Sequence, residues 1–165
     1  MYRLISLDTS TRTDTGYCIF LNGHIEKSGH ITSEGEDRLD DMIMKIYALL
    51  SDTKYLGTIV IEKMSFVRNG NTDRALAELI GAVRGYALMK KKEYIEYNVN
   101  RWRSLIAKNI GEPSPKKREE AKAWSKEKAA DLNIYTDNDN ESDAILIGIA
   151  RFIELLGTDF TSFAV

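Results

Sequence analysis

Two runs of apolar residues in this chain stop at a carboxylate. Leu4-Ile5-Ser6-Leu7 leads into Asp8, and Thr58-Ile59-Val60-Ile61 leads into Glu62. Each run is too short to be a helix, and the second is β-branched throughout, so both read as buried strands. A buried strand tolerates an ionisable side chain at its end, where the side chain projects clear of the hydrogen-bonded ladder. If the two strands are neighbours and parallel, Asp8 and Glu62 emerge side by side outside the carboxyl ends of a sheet, where α/β folds collect ligands and chemistry.

The rest of the chain supplies the partners such a sheet needs. After a Thr/Asp/Gly-rich turn, Thr9–Gly16, the run Tyr17–Leu21 predicts a second strand, and Asn22-Gly23 predicts a hairpin into His24–Ile31. The period then changes. Ser33 and Glu36 have capping-box spacing, and Leu39, Met42, Ile43, Ile46, Leu49 and Leu50 recur at helical intervals. A polar loop, Ser65–Thr72, leads to a helix over about 73–91, then a strand over 94–99 and a short helix over 101–108. A basic helix follows over about 116–130. The last helix starts near Asn140 and carries Ile145, Leu146, Ile149, Ile153 and Leu156. This order predicts one α/β domain over residues 1–165. Its five-stranded mixed sheet has three antiparallel meander strands, two parallel crossover strands, and helices on both faces.

Composition excludes several classes. The single cysteine, Cys18, cannot form an internal disulfide, no run of 18 apolar residues exists, and Met1–Ser6 lacks an apolar signal core. The expectation is a soluble protein of the cytoplasm with no membrane partner. The net charge of −2 conceals an uneven distribution. Residues 84–128 hold thirteen Lys/Arg against six Asp/Glu, whereas the remainder holds ten against nineteen. A basic block beside an acidic remainder predicts a phosphate-tracking surface next to a carboxylate cluster.

Asp143, in the first turn of the last helix, is the third informative acid, because a helix packed across the strand ends would bring it to Asp8 and Glu62. Taken singly, Asp8 reads as a turn former and Asp143 as a helix-dipole partner. Together they repel one another unless a cation intervenes, and hard oxygen donors select Mg²⁺ or Mn²⁺. Neither histidine is spaced as a zinc ligand.

The motifs around these acids resemble the RuvC family of Holliday-junction resolvases. Ile61-Glu62 is followed by Phe66, Arg68 and Asn69, then by a helix ending in Arg84-Gly85. Leu7-Asp8 is followed by Thr15-Gly16-Tyr17, and Ser142-Asp143-Ala144 opens the last helix. The similarity runs in order along nearly the whole chain, and the short length and divergent loops look more like the phage-borne branch than the bacterial one. The resemblance implies a ribonuclease H-like fold and a homodimer in a bacterial cytoplasm, that of a phage-infected cell. It further implies Mg²⁺-dependent nicking of four-way junctions and other branched DNA, with two ions held by Asp8, Glu62 and Asp143 and Mn²⁺ able to substitute.

DNA contacts are expected from Phe66, Arg68, Arg101, Arg103, Lys116, Lys117 and Arg118. Phe66 would stack on an unpaired base, and the cations would meet phosphates. The helix bearing Leu76, Ile80, Gly81, Val83 and Gly85 reads as the dimer interface, or else as a core helix covered within one chain. One position departs from the family. Asn140, three residues before Asp143, stands where the family places Asp or His, and it is the expected fourth catalytic and metal-site residue. Asn offers a metal only a neutral carbonyl, which predicts a weakened or inactive site, or a branched-DNA-binding protein without catalysis. Asp139 is the substitute ligand on that reading; Glu141 fits worse. Two further classes are an actin-like ATPase, for which 165 residues are too few, and a ribonuclease H acting on DNA–RNA hybrids.

Overall fold

The two acid-ended runs lie side by side at the centre of one sheet. The computed structural model describes residues 2–11, 13–35, 37–64 and 70–165. Its strands are β1 (Arg3–Asp8), β2 (Asp14–Leu21), β3 (His24–Thr32), β4 (Leu56–Glu62) and β5 (Glu93–Tyr97). Its helices are α1 (Arg38–Asp52), α2 (Gly70–Met89), α3 (Val99–Ile110), α4 (Arg118–Asp131) and α5 (Asp139–Leu156), with a closing 3₁₀ turn at Phe160–Phe163. The strand order is β3-β2-β1-β4-β5, with β1, β2 and β3 antiparallel and β1, β4 and β5 parallel. The expected mixed sheet is therefore the one observed. Leu7 pairs with Ile61, so Asp8 and Glu62 follow in register at the same edge.

Strand periodicity divides the core. Leu4, Cys18, Phe20, Val60 and Tyr97 pack toward α3, α4 and α5, whereas Ile5, Leu7, Ile19, Ile59 and Ile61 pack toward α1 and α2. Each such side chain contributes roughly 1.5–3 kcal/mol by leaving water. The Asn22-Gly23 hairpin is present, both residues having positive φ (51° and 90°), as a tight turn between twisted strands requires.

Helix α5 is buried along most of its length and lies directly on β1 and β2, and two glycines permit that approach. A Cβ on Gly148 would fall 2.1 Å from the Phe20 ring, and a Cβ on Gly16 would fall 1.9 Å from the backbone oxygen of Asn140. The buried Ser6 hydroxyl donates to the Ala144 carbonyl at 2.6 Å, fixing the helix along β1. Asn138 caps α5 by accepting from the Glu141 backbone N–H at 2.9 Å, and Gly157 ends it at φ 63°.

Several boundaries differ from the sequence expectation. Helix α1 begins at Arg38 behind Asp37 rather than at the Ser33 capping box, whose Glu36 lies outside the described residues. The 3₁₀ turn was not expected. Its Phe163 packs against Phe20 and Phe152, with ring centroids 6.3 and 5.8 Å away. Among the described residues no helix is long and apolar enough to cross a membrane.

Candidate active site

Three elements deliver carboxylates to one end of the sheet: Asp8 from the end of β1, Glu62 from the end of β4, and Asp143 from the first turns of α5. Trp102, fully buried on α3, donates its indole N–H to Glu62 Oε2 at 2.8 Å and thereby orients that carboxylate. Arg103, the next residue, sets Nη2 3.3 Å from Asp143 Oδ2, with its guanidinium 4.8 Å from the centre of the Trp102 ring. The sequence reading expects Arg103 to meet a phosphate; the structure sets its positive charge beside the acids. Trp102 was missed, although a tryptophan at a helix start needs an N–H acceptor once it is buried.

The acids perturb one another. Burial pushes the Asp8 carboxyl well above the usual carboxylate range, reinforced by the charges of Glu62, Asp143 and Asp14 and opposed by Arg103. Burial raises Glu62 to about 7, with Asp143 adding to the shift and the Trp102 hydrogen bond and Arg103 opposing it. Asp143 is raised by burial as well, against the pull of Ser125 and Arg103. Its Oδ1 is buried without a hydrogen-bond partner, as is Arg103 Nε. Among the described residues, no three Asp, Glu, His or Cys side chains are arranged to hold one ion unaided. The chemistry of the donor set, rather than its spacing, is what suits divalent cations. It is all hard oxygen, it is held at the expense of mutual repulsion, and it includes an orphaned carboxylate oxygen.

This electrostatic cost has a measurable consequence. A carboxylate raised to about 7 holds a proton in the folded state that the unfolded chain releases above the normal range near 4.5. Its effect on stability is therefore neutral in acid and turns unfavourable as pH rises from 4.5 through 7. In chelator, Glu62→Gln is expected to raise the melting temperature at pH 8 and leave it nearly unchanged at pH 4, a gain on the order of 3 kcal/mol at the higher pH. Equal effects at both pH values would mean that burial and the neighbouring acid do not raise the Glu62 carboxyl.

The structure gives Asn140 a different set of partners from the one expected. Its Nδ2 donates to the Asp14 carbonyl at 2.5 Å, with Asp14 Oδ1 at 3.1 Å and the Thr13 hydroxyl at 3.2 Å. Asn138 also donates its side-chain amide to the Asp14 carboxylate. Asn140 thus serves as a donor that fastens the start of β2 to α5, a task a carboxylate cannot perform. Asn140→Asp would set an acceptor against two acceptors. It is expected to lower stability by about 1–3 kcal/mol, without the hundredfold gain in cleavage expected for a missing metal ligand. Thermal melting and single-turnover cleavage of the pair of proteins check both parts. Asp139 is engaged as well, 2.7 Å from Lys122 and 2.8 Å from Lys126. Glu141 accepts from Ser28 and Thr136.

The expected DNA contacts separate. Lys116, Lys117 and Arg118 are exposed at the start of α4, with Lys117 3.5 Å from Glu120. Arg101 turns away from the site. It pairs with Glu154, eleven residues and about 16 Å along α5 from Asp143. Phe66 and Arg68 lie outside the described residues. On α2, Val83 is 1% exposed and belongs to the core against the sheet, so it is not available to a partner chain. Ile80 is half-buried against the same core, and Leu76 is half-buried. Gly81 and Gly85 have nothing near a built Cβ and share their side of the helix with the exposed Leu88.

No protein-family model and no curated protein matches the sequence. Solved structures do match the fold. Thermus thermophilus RuvC in complex with Holliday junction substrate superposes with a TM-score of 0.71 at 13% identity, over 96% of this chain and 98% of that one. The fowlpox virus Holliday junction resolvase gives 0.60 at 16% identity, over 93% and 99%. The yeast mitochondrial Holliday junction resolvase gives 0.56 at 13% identity, over 98% and 84%. The five-stranded mixed sheet with helices on both faces is the ribonuclease H-like fold of the RuvC-type resolvases, and this chain has it.

Proposed function

We propose that this chain is a divalent-metal-dependent endonuclease that nicks four-way junctions and other branched DNA as a homodimer, of the phage-borne kind its sequence resembles. The observation that carries the reading is the meeting of Asp8, Glu62 and Asp143 at one sheet end, on a fold shared almost end to end with a RuvC bound to junction DNA. Two Mg²⁺ ions, or Mn²⁺ in their place, would supply Lewis acidity for the attacking water and the leaving 3′ oxygen of the phosphodiester.

The chain's own residues do the rest. Asp8, Glu62 and Asp143 offer the oxygen donors, and Trp102 keeps Glu62 from rotating. Arg103 offsets negative charge beside Asp143, where a scissile phosphate would add more. Lys116, Lys117 and Arg118 stand exposed where a strand approaching that end would meet them. The Gly81/Gly85 side of α2 allows a second copy's helix to approach closely, and two chains related by a two-fold axis match the paired nick sites of a junction.

The alternative, a branched-DNA-binding protein without catalysis, is favoured by Asn140 alone, and the bonds of Asn140 to Asp14 give that residue a structural purpose. The test is substrate choice under Mg²⁺. Equal concentrations of four-way junction, linear duplex and DNA–RNA hybrid are incubated with the chain, whose mass in solution is measured alongside. Preferential nicking of the junction by a dimer is expected. Preference for the hybrid, or activity in a strict monomer, would overturn the reading.

A further inference from the structure

Beside the carboxylate site lies a second feature, and two of its residues, Lys122 and Lys126, have no part in the proposed chemistry. Arg118, Lys122 and Lys126 recur every four residues along α4, so they form one stripe about 12 Å long. They line a cleft of about 460 Å³ that Ser10, Thr13 and the acids Asp14 and Asp137 also line, and that reaches the first turn of α5 at Asp139 and Asn140. Lys122 Nζ lies 2.7 Å from Asp139 Oδ2 and Lys126 Nζ lies 2.8 Å from Asp139 Oδ1, so two ammonium groups converge on the two oxygens of one anion. All three side chains remain about one-third exposed. A partly exposed pair of lysines around one carboxylate contributes little as a clamp between α4 and α5. It is well formed as an anion site that can exchange its occupant.

We propose that this cleft is a phosphate track for one DNA strand, and that Asp139 occupies, in the free protein, the place a backbone phosphate takes in the complex. The inference rests on the reading of the chain as a DNA-binding nuclease and adds residues and a regulatory contact to it. The stripe spans about 12 Å, and a strand carries one phosphate per about 3.4 Å of duplex axis, so three or so phosphates fall within its reach. Asp139 keeps the lysines ordered without DNA and competes with weak, nonspecific anions.

The test is binding to a fluorescent four-way junction and to a linear duplex in EDTA, across a series of salt concentrations. Asp139→Asn frees both lysines. It is expected to tighten binding by about tenfold with little change in the salt slope, because the same two lysines meet phosphate in both complexes. Lys122→Gln/Lys126→Gln is expected to weaken binding and flatten the slope by about two ions. The triple variant is expected to match the double one, because the gain from Asp139→Asn requires the lysines. Glu127→Gln, an equal charge change on the same helix, serves as control and should leave the affinity nearly unchanged.

The proposal fails if the lysine pair can be removed with no change in slope, or if the Asp139→Asn gain persists without the lysines. It fails equally if Glu127→Gln produces the same gain. Slopes that respond as expected on both DNAs, with no preference for the junction, would sink the branched-DNA reading and leave the track standing. Strong junction preference with slopes blind to these residues would do the reverse.

Discussion

Asp143→Ala and Glu62→Ala are each expected to reduce Mg²⁺-dependent nicking of a four-way junction by at least about a thousandfold, a loss of roughly 4 kcal/mol of transition-state stabilisation. Junction binding in chelator should be retained. Glu62 leaves β4 beside Asp8, and its carboxylate is aimed by the Trp102 indole. Asp143 has one oxygen turned to Arg103 and the other buried without a partner. Removing either takes away an oxygen donor that no neighbouring described residue replaces. Each change relieves repulsion but leaves the Trp102 indole N–H or the Arg103 guanidinium without its carboxylate, so thermal melting in chelator is measured on both variants to show that they are folded. Single-turnover cleavage and a gel shift on the same preparations check both halves. Substantial cleavage by either variant would remove that residue from the site.

The second large effect comes from a residue with no side chain. Gly16→Ala is expected to lower the melting temperature by about 10 °C and to cut cleavage by about a hundredfold. A Cβ at this position would lie 1.9 Å from the backbone oxygen of Asn140 and 2.5 Å from the Glu141 nitrogen, both backbone atoms of the first turn of α5. Backbone cannot swing aside as a side chain can, so the start of the helix must move off β2. That turn carries Asn140 and Asp139 and leads into Asp143, so the shift reaches the carboxylate cluster and the bonds to Asp14 together. Thermal melting and cleavage are the measurements. A variant that melts lower yet cleaves at the parental rate would separate helix docking from the site.

Most of this architecture can be read from the chain because its signals are local. The runs ending at Asp8 and Glu62, the Asn22-Gly23 turn and the helical spacing of Leu39 to Leu50 each report on a few adjacent residues, and all are found where expected. The placement of Asp143 is legible for a related reason, since a largely apolar helix must lie on the sheet and its start must fall at one sheet end. What the chain conceals is side-chain direction. Arg101 and Arg103 are two residues apart near the start of α3, about 200° around the helix, so only one of them can face the acids. Spacing alone does not say which. The Trp102 bond to Glu62 depends on the crossing of α3 over the sheet, a tertiary fact. Val83 reads as an interface residue by periodicity, but the side of α2 that meets the sheet is set by Leu79, Tyr86 and Ala87 beside it. Asn140 is the clearest case. By family pattern it is a defect in a metal site, whereas its partners Thr13 and Asp14 lie about 126 residues away in sequence, and only the folded chain brings them together.

Metal held by the carboxylate cluster is proposed to let this chain cut branched DNA. The most direct measurement is a single-turnover incubation of the unaltered chain with a four-way junction, each strand labelled in turn, in saturating Mg²⁺ and again in EDTA. Nicks are expected at symmetrically related positions on two opposing strands in Mg²⁺, with an intact junction in EDTA. A junction that is bound but remains whole at saturating Mg²⁺ and Mn²⁺ would contradict the proposal, and would make the chain a DNA-binding protein on a nuclease fold.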